Sequence, residues 1–92
     1  MTYRCLKIKM SPGGNHHSHI VEISGIEVTT GGPVRGTRLQ WVNTVKTGYT
    51  CYVQDIYGNR ADLRVNHIGA TEYVQTYADG KWTDNLLALP RY

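Results

Sequence analysis

The chain has 92 residues, few enough for a single domain spanning 1–92, and 40% of them are hydrophobic, enough for one thin core. Such a chain buries roughly two thirds of its unfolded surface, so support from a homo-oligomer interface is expected. Ten Lys and Arg against seven Asp and Glu give +3, but no five charges run together, which speaks against a dedicated nucleic-acid arm and against sequence-specific nucleic-acid recognition. A small anionic ligand suits this mild excess better than a duplex does. Met1 to Met10 carries Arg4, Lys7 and Lys9 in place of an apolar leader core, and no stretch approaches the ~18 apolar residues of a membrane span. The expected compartment is the cytoplasm, with no membrane partner. Cys5 and Cys51 stand far apart and are expected to be small buried hydrophobes, not a bridge.

Thr2 to Met10 alternates as a strand, with Leu6, Ile8 and Met10 on one face and Cys5, Lys7 and Lys9 on the other. Ser11-Pro12-Gly13-Gly14-Asn15 is a turn. His19 to Ser24 forms a second strand with Val21 and Ile23 inward. Gly25 interrupts it as a bulge or bend before Ile26-Glu27-Val28 resumes. Thr29 to Gly36 has the composition of a loop. Thr37 and Gln40 make a capping box for one helix, Arg38 to Thr47, which Gly48 closes in a left-handed conformation. Leu39 with Val42, and Trp41 with Val45, have the spacing of a shared helix face.

Three strands follow, Tyr49–Gln54, Ala61–Asn66 and Tyr73–Tyr77, divided by turns at Tyr57–Arg60 and Gly69–Glu72. Joined by short loops, they are expected to pair as an antiparallel meander. Asp84-Asn85-Leu86-Leu87-Ala88-Leu89-Pro90 packs three leucines into four positions; Asp84 or Asn85 could cap one helical turn and Pro90 would stop it. This tail is expected to plug the core. The fold class is α+β: two N-terminal strands, one short helix, a three-stranded meander and a leucine-rich tail.

The tail from Tyr73 to Gly80 and from Asp84 to Pro90 resembles the C-terminal signature, DNLL-x-LP, of the bacterial and phage domain of unknown function 3892. Arg4-Cys5-Leu6-Lys7-Ile8 and the Gly48-Tyr49 junction fit the same plan. The chain departs from that family at Gln75, where a basic residue is usual, and at Arg91 and Tyr92. The resemblance implies a strand pair, a short helix and a meander; it implies no activity.

Four constellations could carry chemistry. His16, His17 and His19 offer imidazoles within four positions, but in a Gly-rich turn with no further ligand pair to close a tetrahedron, so no metal is expected. Cys51, His67 and Asp62 could reach neighbouring strands, yet strand parity sets Asp62 on the face opposite His67, so no catalytic residue and no enzyme is expected; no cofactor motif is present. The Gly31–Gly36 loop, with Arg35 and Arg38, could cradle an anion, although a connecting loop would carry the same glycines.

The fourth is the polar face of the meander, with Tyr52, Gln54, Asp62, Arg64, Asn66, Tyr73, Gln75 and Tyr77 on one side. Tyrosine and arginine stack on rings and pair with phosphate; they also build protein interfaces, and tyrosine pairs stabilise sheets with no ligand at all. The expected function is therefore a non-catalytic, homo-oligomeric binder, or sponge, of a small anionic nucleotide-type ligand held by Arg35, Arg38, Tyr52, Arg64, Tyr73 and Tyr77. Phage proteins that sequester nucleotide immune signals have this size and this lack of catalytic residues. The alternative is a protein-interaction or accessory module without a ligand.

Overall fold

In the computed structural model, which describes residues 1–92, seven strands form one mixed sheet. They are β1 (Thr2–Met10), β2 (Ile20–Glu27), β3 (Pro33–Thr37), β4 (Thr50–Gln54), β5 (Arg60–Ile68), β6 (Thr71–Ala78) and β7 (Lys81–Thr83). One helix, α1 (Arg38–Thr47), carries the chain from β3 back to β4. The sheet order is β3-β2-β1-β4-β5-β6-β7; β1 and β4 run parallel and every other neighbour antiparallel.

The expected α+β class is thereby overturned. The protein is mostly β, and β4, β5 and β6 are the middle of a larger sheet, extended by β7 on one side and joined through β1 to β2 and β3 on the other. The missing strand β3 came from the segment with loop composition. Only Val28 to Gly32 turns. Glu27 folds its carboxylate back to accept the N–H groups of Thr29 (3.1 Å) and Thr30 (2.9 Å) and the Thr30 hydroxyl (3.0 Å). Those hydrogen bonds close a tight hairpin and hold the Glu27 carboxyl below its ordinary pKa. Pro33 then starts an edge strand, where a missing N–H costs no ladder bond.

Two irregularities reset which side chains face the core. Cys5 pairs with Gly25 but Lys7 with Ser24, so Leu6 is an extra residue and the parity of β1 flips there. Cys5 and Ile8 are therefore both buried and Leu6 lies outside, against the simple alternation. A second slip, between Lys9 and Met10, leaves Val21 unpaired; Ile20 and Ile23 point in and Val21 is exposed.

The core gathers Cys5, Ile8, Ile20, Ile23, Cys51, Val53, Leu63 and Val74 from the sheet, Trp41 and Val42 from α1, and Leu86 from the tail. α1 has its expected caps: the Thr37 hydroxyl accepts the Gln40 N–H, the Gln40 side chain accepts the Thr37 N–H at 2.8 Å, and Gly48 has φ 102°. Trp41 and Val42 turn inward, and the Trp41 indole donates to the Ile23 carbonyl at 3.0 Å, while Leu39 faces solvent. Both cysteines are free and buried. Burial, with Asp62 second, pushes the Cys51 thiol up to about 11.

The tail closes the end of the molecule beside β1. Beyond Arg4 and Tyr52 the β1–β4 ladder stops, and residues 90–92 take the vacated side of β1: the Ile8 N–H donates to the Pro90 carbonyl (3.0 Å) and the Tyr92 N–H to the Ile8 carbonyl (3.1 Å). Leu86 is fully buried, Leu87 and Leu89 partly so.

Candidate functional site

In a β-ladder, directly paired residues project to one side, and residues two apart on a strand share it. The register therefore places Tyr52, Asp62, Arg64, Asn66, Tyr73, Gln75 and Tyr77 together on the face away from α1. That is the face expected from alternation. It is not uniformly wet, however. Tyr52 is only 8% exposed, because the Arg60 guanidinium lies over its ring at 4.1 Å. Tyr73 is 3% exposed, stacked on His17 at 6.4 Å and met edge-on by His16 at 5.3 Å. Neither ring is free to stack on a ligand.

What remains open is centred on Arg64 and Tyr77. The Arg64 guanidinium sits 4.1 Å above the Tyr77 ring, and Trp82, paired with Tyr77 across β6 and β7, meets that ring edge-on at 5.1 Å. Arg64 makes no ion pair; Arg60 is held by Asp62 at 2.8 Å. Beside these groups the sheet splits. The β4–β5 ladder runs only from Gln54↔Arg60 to Tyr52↔Asp62, and Thr50 and Cys51 have no partners on β5. A cleft of about 580 Å³ lies there, with Val45, Cys51 and Leu63 in its apolar lining and Arg60, Arg64 and Tyr77 among its polar ones. That volume lies within the range of small-molecule sites.

Arg35 and Arg38 do not join this site. Arg35 projects from edge strand β3 and faces Glu22 at 3.6 Å; it lines a separate cleft of about 360 Å³ with Tyr3, Gln40 and Trp41. Arg38, on the helix side of the sheet, donates to the Glu72 carbonyl at 3.0 Å. The Gly31–Gly36 segment is a hairpin and a strand, so it forms no anion cradle. Arg60 and Trp82 were not anticipated. Arg60 lay in an apparent turn, and Trp82 gains its place only through β7; the continuing alternation of Lys81-Trp82-Thr83 was the one available signal.

The histidines serve the turn before β2. His16 Nδ1 accepts the Ser18 N–H at 3.1 Å, and His19 Nδ1 accepts the N–H groups of Asn15 (3.1 Å) and His16 (3.3 Å). His17 is buried with Nε2 unpartnered. Burial lowers its pKa; the carboxylate of Asp84 pulls upward less strongly, and His16 adds to the lowering. The unfolded chain takes up this proton near 6.5, the folded one only at lower pH, so in that window the unfolded state binds more protons. The contribution of neutral His17 is complete above about pH 6.5 and is lost as pH falls toward the folded value. Urea midpoints measured from pH 7.5 to 5 are expected to drop in the wild type and to flatten in His17→Phe; parallel curves would remove His17 as the group responsible.

No helix is long and apolar enough to cross a membrane. A family model described as protein of unknown function (DUF3892) matches residues 4–90. No curated protein and no solved structure matches the chain.

Proposed function

The chain belongs to the DUF3892 family of proteins of unknown function, and from that premise we propose that it is a non-catalytic binder of a small anionic, ring-bearing ligand of the nucleotide type. The observation that carries this is the convergence of Arg64, Tyr77 and Arg60, with Asp62 and Asp79, on a cleft that also presents Val45, Cys51 and Leu63. A ring takes the place of water against Val45, Cys51 and Leu63, while the Arg64 guanidinium, which lies over Tyr77 and has no ion pair, meets the charged group. Sequestration, not turnover, is consistent with the state of the cleft's one thiol: Cys51 is buried and stays protonated at neutral pH. Assembly into a homo-oligomer is part of the proposal, as expected of a sponge built on a thin core.

Calorimetry with mono-, di- and cyclic nucleotides tests it. Arg64→Ala is expected to weaken binding by ~10- to 100-fold at low salt and by less at high salt, since part of the attraction is screened. Tyr77→Ala should weaken it about equally at both. Native mass spectrometry of protein purified from cells reports stoichiometry and retained ligand together. Heat from none of the nucleotides, with a protein partner retained instead, would favour an interaction module. One feature supports that second reading: Ile56 and Tyr57, 92% and 83% exposed, sit on a turn held by Asp55, whose carboxylate accepts the N–H groups of Tyr57 and Asn59 at 2.9 Å each.

A further inference from the structure

The same register that assembles the cleft sorts the charges of the whole molecule. Arg4 pairs with Tyr52 on β4 and with Ile26 on β2, Lys7 with Ser24, Lys9 with Glu22, and Arg35 with Ser24. Because β2 is regular from Glu22 to Ile26, all of these side chains project to the face that carries Arg60 and Arg64. Six of the ten basic residues thus lie on one face, against Glu22 and Asp62 on its strands and Asp79 at the rim of the cleft. The rest of the molecule holds four basic residues against four acidic ones. A chain with scattered charge folds into one with a polarised surface.

Arg4, Lys7, Lys9 and Arg64 make no ion pair. Arg4 donates once, to the Gln54 carbonyl at 3.4 Å, and its Nε is buried without a partner. On this face Tyr77 and Trp82, the latter 41% exposed, supply the aromatic surface at the cleft, and Tyr92 lies farther along, its hydroxyl donating to Glu22 at 2.6 Å. β1 is two strand spacings from β5, roughly 10 Å, so the basic row continues well beyond the reach of one nucleotide seated in the cleft.

We propose that this face binds single-stranded nucleic acid without sequence preference, one nucleotide occupying the Arg64–Tyr77 cleft and the phosphodiester chain running over Arg4 toward Lys7 and Lys9. The proposal rests on the nucleotide reading of the cleft and extends its ligand from a free nucleotide to a polymer. Guanidinium and ammonium groups meet phosphates, while aromatic side chains stack on unpaired bases, which a duplex keeps in its interior. The face therefore discriminates strand state by its rings and takes most of its affinity from its charges.

The test uses a fluorescein-labelled 12-nucleotide oligouridine, the same length of double-stranded RNA, and uridine monophosphate. The oligouridine is expected to bind at least tenfold more tightly than the monophosphate, with log K falling against log salt at a slope of about −3 for four phosphate contacts. It should also outbind the duplex and quench tryptophan emission, a quench lost in Trp82→Phe because Trp41 is buried. Lys7→Gln with Lys9→Gln, both exposed and outside the cleft, should cut the slope by about 1.4 and leave monophosphate affinity unchanged. Monophosphate binding with no gain from the oligomer would overturn the polymer proposal and spare the cleft. Binding of neither would overturn both. Equal affinity for the duplex, or tight binding without Trp82 quenching, would reduce the face to a general polyanion surface and overturn the proposal as well.

Discussion

Leu86→Ala is expected to cost about 2–5 kcal/mol, a large share of the whole stability of a domain this size. Leu86 has no exposed surface and belongs to the same cluster as Ile8, Ile20 and Ile23. Its surroundings have little freedom to collapse onto a cavity. The Leu86 N–H reaches the Thr76 hydroxyl at 3.4 Å, and that hydroxyl donates to the Thr83 carbonyl (3.0 Å) and accepts from the Thr83 hydroxyl (2.7 Å). On the other side, the bonds between Ile8 and residues 90–92 anchor the end of the chain. Leu87→Ala and Leu89→Ala should cost less, because both side chains are only partly buried. At ~4–8 °C per kcal/mol for a domain of this length, the melting temperature of Leu86→Ala should fall by on the order of 10–30 °C. An unchanged midpoint, or removal of residues 84–92 without effect, would show that the core closes without the tail.

Gly25→Ala is expected to be at least as damaging, by about 3 kcal/mol or more, for a different reason. Gly25 is paired with Cys5 at the bulge, where β1 and β2 approach so closely that a Cβ would meet the Arg4 carbonyl oxygen, with the Arg4 carbonyl carbon at 2.9 Å and the Cys5 Cα at 3.1 Å. Those atoms are backbone in the middle of a seven-stranded sheet and cannot rotate aside. The strands must part, and the core residues Cys5 and Ile8 move with them. Gly32→Ala is the matched control: its Cβ would meet only the Thr30 hydroxyl, at 3.3 Å on an exposed turn. Urea denaturation of the two variants should separate them by most of the predicted loss. Equal midpoints would sink the close-approach explanation.

These two sites mark where sequence patterning reached its limit. Gly25 was recognisable as an interruption, but alternation alone could not say that the extra residue sat opposite it, at Leu6. One inserted residue reverses every later side chain on a strand, and so Leu6 and Val21, expected inside, are exposed, while Ile20 fills the core. The helix was legible to its last residue because its signals are local: the Thr37–Gln40 box and Gly48 act within one turn. The leucines of the tail were legible because three apolar residues together must find cover. β3 was not, since Thr29-Thr30-Gly31-Gly32-Pro33 has turn chemistry, and it is the Glu27 carboxylate together with backbone bonds between Glu27 and Gly31–Gly32 that tightens it enough for a strand to follow.

The length of the helix, the face that β5 and β6 share, the burial of Leu86 and membership of the family were all legible in local patterns of residues. Tertiary packing settled that the sheet has seven strands, that Arg38 lies on the opposite side of it from Arg64 and Arg35 on a distant strand, and that His17 and Arg60 cover Tyr73 and Tyr52. It alone gathered Arg4, Lys7, Lys9, Arg60 and Arg64 onto one face. The physical reason is range. Caps, turns and alternation act over a few residues, whereas the parallel pairing of β1 with β4 and the return of the tail to Ile8 join segments from distant parts of the chain. Strand order and register across those joins set the sharing of a face, and no local pattern encodes them.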